Sequence, residues 1–300
     1  MTDKQQINQS RINRHLGAIS RRSKSLASRM LLRMLSSLTS VQDMPRMTAE
    51  EKFLFDLEGY LIVKQVLTAE EVAALSAIAY QKCPVPIDRP KWRRVFGTSS
   101  WGPPYQALID HPKIIPYLIE LVGRKFRLDH DYCVFTTKGG RDQDLHGGAT
   151  TNNPDHWYAY RDGVIRCGLT VITFFLTHAN AGDGGFCCVP GSHKSNFITS
   201  LPQDVRNYQR MPHYVVQPPV EAGDAIIFAE ALIHGTVPWT ADHERLVLLY
   251  KYSPGHSAWM NNYCDLNKYT DLTEQQKRIL APPSVGARPD SVGGGITSGS

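Results

Sequence analysis

Two short stretches carry residue types that could do metal chemistry. One is Asp144-Leu145-His146-Gly147-Gly148; the other is Ile233-His234-Gly235-Thr236, followed eleven residues later by Arg245. A separation of 88 positions between the histidines means nothing by itself. What matters is that each sits where an apolar, strand-like run meets a glycine turn. Neutral imidazoles are good ligands for a divalent transition metal such as iron. A planar guanidinium can grip a carboxylate in a bidentate fork, which a lysine cannot. A histidine at a strand end is more often a hydrogen-bonded structural residue than a ligand, so the elements around these residues decide.

Composition limits the setting. A chain of 300 residues, 42% hydrophobic, can bury a full core and reads as one large domain with tails. No apolar run approaches the roughly 18 residues a membrane span needs. The net charge is +5, but residues 1–40 hold eight Lys/Arg against one acid, leaving −2 on the rest. The body therefore has no basic face of the kind that binds nucleic acid. The six cysteines form no CxxC pair. Four of them lie in apolar, strand-like surroundings and read as small buried hydrophobes, and the set implies a reducing compartment with no structural zinc.

The elements follow in order. Residues 1–45, rich in Arg and Ser, read as a basic leader that is either disordered or a mitochondrial or plastid transit peptide. The expected location is intracellular, cytoplasmic or organellar. A helix is expected at Phe53–Leu57 and a strand at Gly59–Val63. Thr68-Ala-Glu-Glu71 is a capping box opening a helix to about Gln81. Another helix is expected from His111 to Gly123, with proline in its first turn and glycine past its end. From Asp131 the texture changes to short apolar runs broken by glycine and proline. These are Tyr132–Thr137, Gly168–Thr177, Gly185–Val189, Tyr214–Gln217, Ala225–Ala229 and Leu246–Tyr252. They argue for an antiparallel roll. A last helix is expected at Thr273–Leu280, and 282–300 reads as a disordered tail. The fold class is mainly β, a double-stranded β-helix or jelly roll with N-terminal helices, spanning 46–281 as a single domain.

Three segments resemble the phytanoyl-CoA dioxygenase family of Fe(II)/2-oxoglutarate oxygenases. They are Gly184-Gly185-Phe186 with Val189-Pro-Gly-Ser-His-Lys194; Ala222-Gly-Asp-Ala225 with Ile233-His-Gly-Thr236 and Arg245; and Gly59-Tyr-Leu-Ile-Val63 with Thr68-Ala-Glu-Glu-Val72. The resemblance covers about residues 50–260. It implies that His146 and His234 ligate iron. It also implies that Arg245 pairs with the far carboxylate of 2-oxoglutarate and that the Thr236 hydroxyl helps hold it. The reaction it implies is oxidation of an aliphatic C–H bond of a small organic substrate by O₂. His193 reads as structural, and Lys138 and Arg141 as solvated loop charges. The loop Asn152–Tyr160, with His156, Trp157, Tyr158 and Tyr160, reads as a substrate lid or as an aromatic cover on a sheet edge.

The family pattern is broken at Gly148, where a ligand Asp is expected two residues after the first histidine. In a strand, positions i and i+2 share a face. Three readings follow. Iron halogenases carry Gly or Ala there, and the vacated position takes chloride. Alternatively Asp144, Glu230 or Asp155 replaces the lost carboxylate and the enzyme is a hydroxylase. Or the site is silent and the chain is a jelly-roll binding protein. The two-residue spacing favours the halogenase, which makes Gly148 part of the catalytic set with His146 and His234. A cupin-like isomerase would need more than two histidines near the metal.

Overall fold

The computed structural model describes residues 46–293 apart from 85, 87, 89, 150–152 and 287. The leader lies outside the described residues. Helix α1 (Ala49–Glu58) starts at Thr48, whose hydroxyl caps Glu51 in a reciprocal capping box, and stops at Gly59 in a left-handed conformation. Strand β1 (Tyr60–Val63) follows, then α2 (Ala69–Lys82), opened by the expected Thr68/Glu71 box. Next come β2 (Trp92–Phe96), a short α3 (Pro103–Gln106) and α4 (Ile115–Leu121). Helix α4 begins four residues after His111, because residues 111–114 form a turn rather than helix.

The β region contains β3 (Phe126–Thr136), β4 (Tyr158–Arg161), β5 (Val164–Cys167), β6 (Thr170–Phe175) and β7 (Gly185–Cys188). After a short α5 (Gln203–Arg206) come β8 (Ala225–Ala229), β9 (His234–Val237), β10 (Arg245–Pro254) and finally α6 (Glu274–Leu280). Six strands form one antiparallel sheet in the order β1-β8-β6-β10-β3-β2. Facing it is a small layer in which β7 pairs with β9, extended by single bridges His146–His234 and Cys188–Val216. The run Tyr214–Gln217, expected as a strand, contributes that one bridge. Pro218 and Pro219 follow it and have no N–H for a ladder.

Period-two alternation sorts the large sheet into an inner and an outer face. Tyr132, Val134, Val171, Phe175, Ile226, Phe228 and Val247 pack inwards with Phe186, Cys188 and Trp239 from the small layer and its flank. The outer face is covered by helices. There the Tyr250 hydroxyl donates to the Tyr105 carbonyl at 2.9 Å and the Tyr252 hydroxyl to that of Ile109 at 2.9 Å. Phe174, fully buried on this face, meets Tyr250 edge-on with ring centroids 5.7 Å apart. Phe174→Ala is expected to cost about 3–5 kcal/mol through the cavity it leaves. A chemical-denaturation midpoint that does not move would contradict this packing.

Two details position the site. Between Lys251 and Tyr252 the β10–β3 register slips, and Asp129 is the extra residue of the bulge. Its buried carboxylate accepts from Arg127 and from the backbone N–H groups of Trp259 and Met260, which brings Trp259 over the barrel mouth. Second, residues 288–293 are irregular but not loose. Ser291 and Val292 are buried, and the Ser291 hydroxyl donates to the Phe126 carbonyl. The expected disorder therefore does not extend to this part of the tail. All six cysteines are free, four of them buried. Among the described residues, no helix is long and apolar enough to cross a membrane.

Candidate metal centre

His146 and His234 face each other as an antiparallel bridge. His146 N donates to His234 O at 2.8 Å, His234 N donates to His146 O at 2.9 Å, and the rings lie 4.3 Å apart. Each ring places Nδ1 2.8 Å from the carbonyl two residues earlier, Asp144 O for His146 and Leu232 O for His234. A carbonyl can only accept, so Nδ1 carries the proton and Nε2 presents its lone pair. Burial, with His146 adding to it, pulls His234 down to about 3, so its imidazole is neutral at physiological pH.

The third member is Glu230. A tight turn after β8, closed by Leu232 N to Ala229 O, returns the chain so that Glu230 and His234 converge. Glu230 Oε2 lies 3.7 Å from His234 Nε2. One ligand-type atom from each of His146, Glu230 and His234 falls within 4.8 Å of the others, and no other such cluster occurs among the described residues. Burial alone would raise the Glu230 carboxyl. The Lys251 ammonium, 2.5 Å from Oε1, and the surrounding imidazoles instead hold it well below the usual carboxylate range. It is ionised and ready to ligate.

The other two candidate carboxylates are elsewhere. Asp144 pairs with Arg141 at 2.8 Å and is half exposed. Asp155 lies outside the cluster, and its carbonyl accepts from Leu169 N. Lys138 pairs with Asp242 at the surface, and His193 contacts the Asp56 carbonyl, both in line with the sequence reading.

Gly148 does not behave as a strand residue, which corrects the premise that it shares the face of His146. Its φ is +90°, and a Cβ there would sit 2.5 Å from Ile198 Cδ1, among the apolar residues behind the small layer. Gly147, at φ +87°, would place a Cβ 2.5 Å from Leu232 O. The glycine pair therefore allows a close backbone approach, sealed by Gly148 N donating to Glu230 O at 3.0 Å.

Arg245 opens β10 on the inner face with Val247, Leu249 and Lys251. It is buried, and its Nε has no protein partner. Gly185 leaves room for it, since a Cβ there would come 3.0 Å from Nε. Burial pulls the guanidinium down to about 10, opposed by Asp142, so it stays charged at neutral pH. Arg245, Thr236, His146, His234 and Lys251 line one cavity with Tyr132, Phe186 and Phe228.

Two residues escaped a role at this site in the sequence reading. Lys251 lies an even number of positions beyond Arg245 in an apolar strand, which was the available signal. His156 stands in the loop read as a lid. It stacks on Trp259 at 4.7 Å and points Nε2 to within 3.9 Å of Glu230 Oε2. Asn152 lies outside the described residues, and the end of that loop, Tyr158–Tyr160, belongs to β4, which pairs with β5 in a hairpin and is tied to α1 by the Tyr158 hydroxyl on the Asp56 carboxylate.

The sequence and the fold resemble those of known proteins. The model of the phytanoyl-CoA dioxygenase (PhyH) family matches the sequence from Glu120 through Val247. Over that stretch, less than half of its length, the chain resembles the phytanoyl-CoA dioxygenase family. The matched residues run from the end of α4 into β10, and so include both histidines, Glu230 and Arg245. Among solved structures, HygX from Streptomyces hygroscopicus, with nickel and 2-oxoglutarate bound, is 22% identical with a TM-score of 0.63. That match covers 75% of this chain and 92% of HygX. EctD from S. alaskensis, with bound Fe, is 18% identical with a TM-score of 0.54, covering 71% of this chain and 78% of EctD. SnoK, a non-haem α-ketoglutarate-dependent carbocyclase from nogalamycin biosynthesis, is 20% identical with a TM-score of 0.53, covering 73% and 87%. The jelly-roll fold is thus shared with all three. No curated protein matches the sequence.

Proposed function

We propose that this PhyH-like chain is an Fe(II)- and 2-oxoglutarate-dependent oxygenase that hydroxylates an aliphatic C–H bond of a small organic substrate. The observation that carries this reading is the convergence of His146, Glu230 and His234, two imidazoles and one carboxylate, at the mouth of a jelly roll. That donor set suits Fe(II) and leaves coordination positions for a co-substrate and O₂. When bound, iron would supply the oxidation of the substrate coupled to decarboxylation of 2-oxoglutarate to succinate.

The residues of the chain do the rest. The carbonyls of Asp144 and Leu232 orient the imidazoles. The orphaned Arg245 guanidinium fits the distal carboxylate of 2-oxoglutarate, with the Thr236 hydroxyl beside it in the cavity. The apolar lining from Phe186 and Phe228 keeps water from the reacting centre. The test is formation of succinate from 2-oxoglutarate by purified protein under O₂. Succinate dependent on added Fe(II) is expected. Its absence with and without candidate substrates would favour the silent binding protein.

Hydroxylation is favoured over halogenation because Glu230 supplies the carboxylate and because a side chain at 148 would be aimed at Ile198. Gly148→Asp is therefore expected to add no ligand. It should cost about 1–3 kcal/mol through its positive φ, and leave metal affinity no higher. Chloride is expected to leave the metal-bound protein's absorption unchanged. A tenfold tighter metal in Gly148→Asp, or a chloride-dependent spectrum in wild type, would return halogenation to first place.

A further inference from the structure

Lys251 is buried at the site, and neither the metal ligation nor the 2-oxoglutarate contact uses it. It is the last residue of β10 before the Asp129 bulge, on the same inner face as Arg245. Its Nζ holds Glu230 Oε1 at 2.5 Å, while Oε2 is turned towards His234 Nε2 at 3.7 Å and His156 Nε2 at 3.9 Å. The carboxylate is thus gripped on one oxygen and offered on the other. The pair is buried, with side-chain exposures of 11% and 4%. Without a metal, the carboxylate and the ammonium balance each other's charge.

We propose that Lys251 is a positioning residue that acts through Glu230. It is a resident counter-cation that keeps the carboxylate in place before the metal arrives, presents Oε2 alone, and competes electrostatically with the metal for the same carboxylate. This rests on Glu230 being a ligand. Removing the ammonium takes away a repulsive charge next to the dication and leaves Glu230 buried without a partner. Once the dication is bound it takes over as the partner of Glu230, so loss of the repulsive charge favours metal binding. A lysine that merely stabilises the fold would, when removed, leave metal affinity unchanged or weaker.

The experiment is an anaerobic Co(II) titration of the full chain, followed by ligand-field absorption, for wild type, Lys251→Met, Lys251→Arg and Glu230→Gln. Lys251→Met is expected to bind Co(II) at least ~10-fold tighter. Lys251→Arg, which keeps the charge, is expected to stay close to wild type. Equal or weaker binding in Lys251→Met overturns the proposal, as does a tenfold tightening in Lys251→Arg. If Lys251→Met does not fold, Lys251→Gln, whose amide can still donate to Oε1, makes the same comparison with the same outcomes. Glu230→Gln separates the two levels. If it leaves Co(II) affinity unchanged, the ligand assignment fails and the role of Lys251 goes with it. If it weakens binding but Lys251→Met does not tighten it, only the role of Lys251 fails.

Discussion

Glu230→Gln is expected to weaken divalent-metal binding by at least ~100-fold, beyond what loss of an outer-shell partner costs, and to abolish succinate formation. The amide keeps the volume of the side chain but loses the negative charge that makes the donor set complete. The same change leaves Lys251 buried and unpaired, at a cost of about 3–5 kcal/mol. The double variant Glu230→Gln/Lys251→Met removes both charges. It is expected to recover most of the stability and none of the activity. Calorimetric melting and a metal titration on the same samples distinguish the two effects. Asp144→Asn and Asp155→Asn serve as controls, because neither carboxylate belongs to the cluster. Both should bind metal within a few-fold of wild type.

Arg245→Lys is the second large effect. The guanidinium is buried with an unpartnered Nε, in a space that Gly185 leaves for it. A lysine there keeps a positive charge but cannot form two parallel hydrogen bonds to a carboxylate. Loss of a charge-assisted hydrogen bond of about 1.5–3 kcal/mol corresponds to a rise of about 10–150-fold in the KM for 2-oxoglutarate. Metal affinity in the absence of 2-oxoglutarate should not change. A KM within twofold of wild type would remove Arg245 from the co-substrate site.

The parts of the site that follow local rules were legible in the sequence. His234 could be found because it ends an apolar run at a glycine turn, and His146 because it precedes a glycine pair. The helix opened by Thr68 could be placed because a capping box is a local signature. What the sequence could not decide depends on backbone conformation or on distant pairing. Glu230 was one of three equal carboxylates, and only the tight turn between β8 and β9 brings it beside His234. The argument from Gly148 assumed strand geometry, whereas its φ of +90° takes it off the strand. Strand β2 escaped notice because Trp92-Arg-Arg-Val-Phe96 is an edge strand whose charged residues break the apolar pattern. Tyr158–Arg161 read as loop because its stabilisation is a two-stranded hairpin away from the main sheet. Arg245 and Lys251 lie on one face because β10 keeps its alternation over that interval, and the slip at Asp129 comes only after Lys251.

The most direct test of the central claim is the visible charge-transfer absorption of anaerobic protein mixed with Fe(II) and 2-oxoglutarate. Such a band requires iron held by the protein with the 2-oxoacid chelated to it. It is expected in wild type, in Asp144→Asn and in Asp155→Asn, and expected to be lost in Glu230→Gln at the same concentrations. A band of full intensity in Glu230→Gln, or none in wild type, would contradict a metal centre built from His146, Glu230 and His234.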